Sequence, residues 1–357
     1  MKSKFTRILS LALCFILVMG IFSACSNEDA LTESSTEPST TEPLTQAQPK
    51  TDYNRLTGID NLSKDAKGKR PVAIMINNIK ASLPQYGIYD ADLMFECLVE
   101  GGITRMMAVF ADYTKIPRVC SVRSCRYYFP ILAQGLDAVY FCFGCNPTLG
   151  KAALEKTKID YFDGSQNYDT LVFGRDPARL GKYSKEHTAY VEGEKVPEML
   201  KKYKVRTNYK EAKDDYIFDF RDGKAVSKTE CKDVRLNFSK SYYSTFTYDS
   251  KNKVYLKTHC GNPHMDSAVN KQLQYTNVFV LETDVSLYAG GPLVKINWKG
   301  GTGYYISYGT VQKIKWKKAD YNSTIKVTNM KGEEIKVNKG NSYFGFVNKG
   351  EAVLPTA

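Results

Sequence analysis

The stretch 96–126 gathers residue types that handle anions: Glu96, Glu100, Arg105, Arg123, Ser124 and Arg126. Two carboxylates and the pair Gly101-Gly102 lead into Arg105, and Arg123 and Arg126 follow. Spaced three apart, the latter two can share one side of a helical turn. Arginine carries a planar fork that grips phosphate or carboxylate through two bonds. Asn77 and Asn78 close an apolar run at 71–76, while Arg175, Arg179 and His187 lie further on. An imidazole such as His187 is suited to acid–base work. The alternative is that Glu96, Glu100, Arg105 and Arg123 form structural ion pairs holding the sheet edge. No Gly-x-Ser-x-Gly elbow, His-Glu-x-x-His pair or phosphate-binding loop occurs, which argues against a serine hydrolase or a zinc protease. No residue is assigned a catalytic role, and no metal site or cofactor is expected.

Strands and helices must position these groups. Apolar runs at 71–76, 93–99 and 105–111 read as strands, the last two joined by a hairpin at 100–102. A short strand at 118–122 precedes a helix at 125–134, a buried strand at 138–143, and helices at 146–158 and 192–204. Ligands of open α/β sheets gather where strands end, and a helix N-terminus favours anions. From 216 onward strands dominate: a hairpin at 242–258, an apolar run at 277–282, a meander through 294–316, and three more strands to 347. The expected fold class is α+β. An N-terminal mixed α/β domain at 53–215 is followed by a smaller, mainly antiparallel β domain at 216–357, and the connection at about 205–240 is expected to be cut by protease second, after the stalk.

Other residues carry weaker signals. Beyond Cys14 and Cys25, seven cysteines remain, an odd number that forbids complete internal pairing. Cys142 and Cys145 have CxxC spacing without a second pair, so buried thiols are the simpler reading. His259 and His264 flank Gly261-Asn262-Pro263, a turn signal. Tyr304, Tyr305, Tyr308, Tyr321 and Tyr343, with Trp298 and Trp316, are read as cross-strand packing, with a sugar-stacking platform as the alternative.

The N-terminus sets the compartment. Lys2, Lys4 and Arg7 precede an apolar run at 8–22, and Phe22-Ser23-Ala24-Cys25 has the form of a lipobox. Residues 1–24 are read as a signal peptide, and Cys25 as the lipidated (palmitate-bearing) residue of the mature chain, held at the outer face of the cytoplasmic membrane. Residues 25–52, rich in Ser, Thr, Glu and Pro, form a disordered stalk. The chain has a formal charge of +12, and the stalk is acidic, so the part beyond it is strongly basic. In that compartment a basic protein meets membrane lipid, anionic wall polymer or a lipid-linked precursor rather than nucleic acid.

As a set, Arg70-Pro-Val-Ala-Ile-Met-Ile-Asn-Asn78, Pro84-Gln85, Ala91-Asp92, Glu96, Glu100-Gly-Gly-Ile-Thr-Arg105 and Val122-Arg-Ser-Cys-Arg126 resemble the YerB-like family from about residue 66 onward. The resemblance implies a Gram-positive envelope lipoprotein with paired N- and C-terminal domains of unknown function. Leu83, Gly144-Cys145-Asn146 and Glu186-His187-Thr188 depart from the family's pattern. A strand, Ser121-Val-Arg-Ser124 and a helix, with Arg175-Asp176 and Arg179 beyond, are also similar to the strand ends of LytR-CpsA-Psr enzymes. This implies an alternative: phosphotransfer of polyprenyl-linked wall polymers, with a divalent metal. Ser124 stands where those enzymes carry an acid. Binding of an anionic, phosphate-bearing envelope ligand is the favoured expectation.

Overall fold

A computed structural model describes residues 53–166, 170–210 and 217–354. The expected signal peptide and stalk, with Cys25, lie outside the described residues. In the first half the strands are β1 (Val72–Asn77), β2 (Leu93–Leu98), β3 (Thr104–Phe110), β4 (Arg118–Cys120), β5 (Val139–Cys142), β6 (Tyr161–Asp163), β7 (Phe173–Arg175) and β8 (Ala189–Glu192). The helices are α1 (Tyr128–Gly135), α2 (Leu149–Thr157) and α3 (Val196–Lys202). The expected hairpin is present: β2 and β3 pair antiparallel around a 3-10 turn at Glu100–Gly102. Gly101 and Gly102 take φ of 74° and 71°, a region that side chains resist, which is why the turn uses glycine.

β1 is buried along its whole length because it is a central strand, antiparallel to β3 and parallel to β5. The short strand β4 leaves this sheet and pairs with β8, which pairs in turn with β7.

The second half is not confined to an antiparallel sheet of its own. One ten-stranded sheet runs through both halves in the order Lys326–Thr328, Thr310–Lys317, Gly300–Ser307, Asn277–Thr283, Ser342–Asn348, β2, β3, β1, β5, β6. Ser342–Asn348 lies parallel to both β2 and Asn277–Thr283. The reason is visible in the strand itself. Ser-Tyr-Phe-Gly-Phe-Val is buried at every position, so it needs a neighbour on each edge and a layer on each face. Phe95, Phe344, Phe279 and Tyr305 stack across four successive strands with ring centroids 4.8, 4.7 and 4.7 Å apart, tying the two halves on one face. The expected meander is also altered, since Val294–Ile296 pairs with Val285–Leu287 instead of continuing into the following strand.

On the opposite face lies a second sheet containing Asp233–Asn237, Tyr243–Asp249 and Val254–His259. Its close approach depends on Gly345, where a Cβ would sit 2.4 Å from Leu236 Cδ2. Each face of the long sheet therefore has its own apolar core. Tyr305, Tyr343 and Trp316 are buried in these layers, so packing accounts for them.

Candidate functional site

Alternation along β2 and β3 sorts the expected site residues onto two faces. Glu96 pairs with Met106 and Cys97 with Arg105, so Glu96 and Arg105 point to opposite sides of the sheet. The group expected around one anion is thus divided between an arginine cluster and a buried polar network.

The arginine cluster sits at the start of β3 and in the loop before α1. Arg105 is 5 % exposed. Its Nη1 donates to the Ser124 carbonyl at 2.8 Å, and its Nε is buried without a partner. Burial, then the charges of Arg126 and Arg123, pull its pKa down to about 10. Arg126 is neutralised locally, its Nε donating to both Glu100 oxygens at 2.6 and 2.7 Å. Arg123 meets Glu186 at 3.0 Å, but the Glu186 side chain is 53 % exposed, so this pair is weak and easily exchanged. Ser124 Oγ donates to the Phe143 carbonyl at 3.1 Å and so serves the loop.

An open cleft of about 440 Å³ adjoins Arg123 and is lined also by Phe143, Arg175, Ser184, Lys185 and Glu186. Arg175 lies over the Phe143 ring at 4.5 Å from its centroid, and burial, then the charge of Arg123, disfavour its charged form. Asn77 connects this cleft to the sheet. Its side-chain amide donates to His187 Nδ1 at 2.9 Å, leaving the proton of a neutral imidazole on Nε2. Burial chiefly lowers the pKa of His187; Glu186 opposes this, while Arg123 and Arg179 add to it. Arg179 does a different job. It donates to the Pro84 carbonyl at 2.9 Å and to the Ser82 carbonyl, and covers Tyr183, holding the 82–84 loop.

The other face carries a buried polar network that no sequence motif marks. Lys257 Nζ stands 3.3 Å from Glu96 Oε2, and both side chains are fully buried. Glu96 also accepts from Asn78 (3.0 Å) and Thr104 (2.8 Å) on one oxygen, and from Ser244 (3.1 Å) and Tyr343 (2.7 Å) on the other. Burial would raise the carboxyl's pKa, but Lys257, His259 and these donors outweigh it and keep the pKa below the ordinary value. The bonds close a ring. Lys257 donates to His264 Nδ1 at 2.9 Å, and His264 Nε2 donates to Gln85 Oε1 at 2.9 Å. Gln85 donates to Asn78 Oδ1 at 3.1 Å, and Asn78 returns to Glu96. Every donor in the ring meets an acceptor, which fixes the His264 tautomer. His259 and His264, read from sequence only as turn neighbours, belong to this network. The hairpin they flank is real, with Thr258 and His259 paired to Pro263 and Asn262. The one available signal was the in-strand lysine within Val254–His259, at a position whose neighbours alternate with buried residues.

Among the described residues no group of three or more His, Cys, Asp or Glu side chains is suited to a metal ion. Nor is any described helix long and apolar enough to cross a membrane.

These features define a class: a mixed-sheet protein whose two sequence halves share one sheet, with arginines at its strand ends. The chain belongs to the YerB-like family. Residues 56–206 match "Protein of unknown function (DUF3048) N-terminal domain", and residues 234–344 match the corresponding C-terminal domain. It is similar to YerB of Bacillus subtilis (strain 168), whose name assigns it provisionally to the lipoproteins, at 28 % identity over 315 residues, 87 % of this chain and 86 % of the relative. The crystal structure of the YerB protein from Bacillus subtilis shares the fold, with a TM-score of 0.72 and 24 % identity over 85 % of this chain and 99 % of that one.

Proposed function

We propose that this protein is a lipid-anchored extracytoplasmic binding protein that takes a phosphate-bearing envelope ligand into the Arg123–Arg175 cleft, with Arg105 behind it. The observation carrying this reading is Arg105: a buried guanidinium with an unpartnered Nε and two cationic neighbours. Arg126 and Arg123 have carboxylate partners in Glu100 and Glu186, whereas Arg105 meets none among the described residues, and a bound dianion would supply one. The exposed Glu186 acts as a placeholder on Arg123 that the ligand displaces. Anchoring through Cys25 is supported by the lipobox and by the provisional naming of the Bacillus subtilis relative.

The test is calorimetric titration of the purified chain with inorganic pyrophosphate and with a short polyprenyl phosphate, at two salt concentrations. Binding should appear and weaken about tenfold in Arg123→Lys, which keeps charge but loses the fork. Absence of heat with either probe at low salt would remove the reading. The phosphotransfer alternative would show itself as metal-dependent consumption of the polyprenyl phosphate.

A further inference from the structure

We propose that Cys125 and Cys145 are a redox couple that closes to a disulfide across the two loops beside the arginines. The residues face each other across an isolated parallel bridge. Neighbouring backbones in such a pairing lie about 4.8 Å apart, inside the roughly 4.4–6.8 Å range that disulfides span. The register is held by two backbone bonds that lead into the bridge. Cys125 N–H donates to the Gly144 carbonyl at 2.9 Å, and Phe143 N–H donates to the Arg123 carbonyl at 3.0 Å. Space for the sulfurs comes from Gly150 on α2: a Cβ there would fall 2.7 Å from Cys145 Sγ and 3.6 Å from the Cys125 carbonyl.

The chemistry of the two thiols differs in a useful way. Cys145 is partly exposed and Cys125 is buried. A hydrogen bond from the Cys125 thiol leads in pulling the Cys145 pKa below its ordinary value, against burial and Asp163 and with help from Arg126. Cys145, the more exposed of the two and the more easily ionised, is therefore the thiol that meets an external disulfide. Cys142, its partner in the CxxC spacing, is buried on β5 with its pKa pushed well up by burial. The spacing in sequence thus misidentifies the pair.

The oxidant is a low-molecular-weight disulfide, RSSR, or a disulfide-bearing oxidoreductase of an extracytoplasmic compartment. The Cys145 thiolate attacks one sulfur of RSSR, forming Cys145–S–S–R and releasing RS⁻. Cys125 then loses its proton and attacks the Cys145 sulfur, releasing the second RS⁻. In total the protein dithiol loses two electrons and two protons, and RSSR becomes two RSH. The product ties the loop bearing Arg123 and Arg126 to the exit of β5. This inference stands on the bridge geometry and does not depend on what the arginines bind.

The experiment is oxidation of the full purified chain with oxidised glutathione, followed by thiol counting and peptide mapping under non-reducing conditions. The expected result is a loss of two thiols, a 125–145 crosslink, a raised melting temperature, and reversal by dithiothreitol. Cys142→Ser should retain the crosslink, and Cys145→Ser should abolish it. A 142–145 crosslink, or a stable glutathione adduct on Cys145 alone, would overturn the proposal. So would both thiols surviving unmodified. If Cys145→Ser does not fold, mapping of the wild-type chain decides by itself.

Discussion

Lys257 reaches Glu96 across the junction of the two halves, Nζ to Oε2 at 3.3 Å, with neither side chain touched by solvent. An ion pair in such surroundings adds little net stability over a well-packed apolar pair, yet it is costly to break by halves. The first prediction follows from that asymmetry. Lys257→Met should destabilise by about 3–5 kcal/mol, leaving a buried carboxylate. The double variant Glu96→Gln/Lys257→Met should recover a large part of the loss. Denaturant unfolding of the wild type, both single variants and the double variant checks this; additive losses would mean that the two residues act independently.

Acid should weaken the same junction. Burial and Lys257 lower the His259 pKa to about 4, and burial, Lys257 and His259 lower that of His264 well below its usual value. An unfolded histidine titrates near 6.5. The folded state therefore binds fewer protons in this window, so the contribution is complete above about pH 6.5 and is lost as pH falls towards 4. Asp92 works the other way. Burial raises its pKa to about 6 against the hydrogen bonds from Ala111 and Asn54, so it adds stability as pH falls from about 6. Melting curves from pH 7 to 4 should flatten in His259→Gln and steepen in Asp92→Asn. Parallel shifts in both variants would refute the assignment.

Arg105 offers a separation of stability from binding. Arg105→Met removes a buried charge that no carboxylate contacts among the described residues, so the melting temperature should rise by a few degrees. Binding of pyrophosphate should disappear in the same variant. A fall in melting temperature would instead identify Arg105 as a structural residue that secures Ser124.

The shared sheet predicts how fragments behave. Residues 53–210 alone would expose the edge of β2 along with Phe95, both covered by Ser342–Asn348 in the whole chain. An unpaired apolar edge invites association. The fragment should therefore elute as aggregate in size-exclusion chromatography, whereas the chain from residue 53 to 357 elutes as a discrete species. A soluble, cooperatively unfolding fragment would establish two independent domains.

Membrane attachment is tested at one atom. Cys25→Ser should move the protein from the membrane fraction to the soluble fraction and remove the mass of its lipid. A variant that still sediments with membranes would exclude Cys25 as the anchor.

Local order was legible in the residues. The wholly apolar run at 71–76, the Gly101-Gly102 turn and the hairpin at 242–258 each describe interactions between near neighbours, and the structure contains the corresponding strands and hairpins. The family resemblance was likewise readable, since it is a linear pattern. Arg105, Arg123 and Arg126 could be grouped because a strand start and the loop before α1 are joined by a short length of chain. What tertiary structure alone decided was pairing at long range. Tyr343 lies 247 residues from the Glu96 it donates to, and no local preference specifies such a contact. The parallel placement of Ser342–Asn348 against β2 arises from burying both faces of an apolar strand, a demand that many partners could satisfy in principle. The division of Glu96 from Arg105 has the same origin. Sequence places them nine positions apart, but the strand register turns them to opposite faces, and only then do Lys257, His264 and Gln85 close around one while the other stays with Arg123 and Arg126.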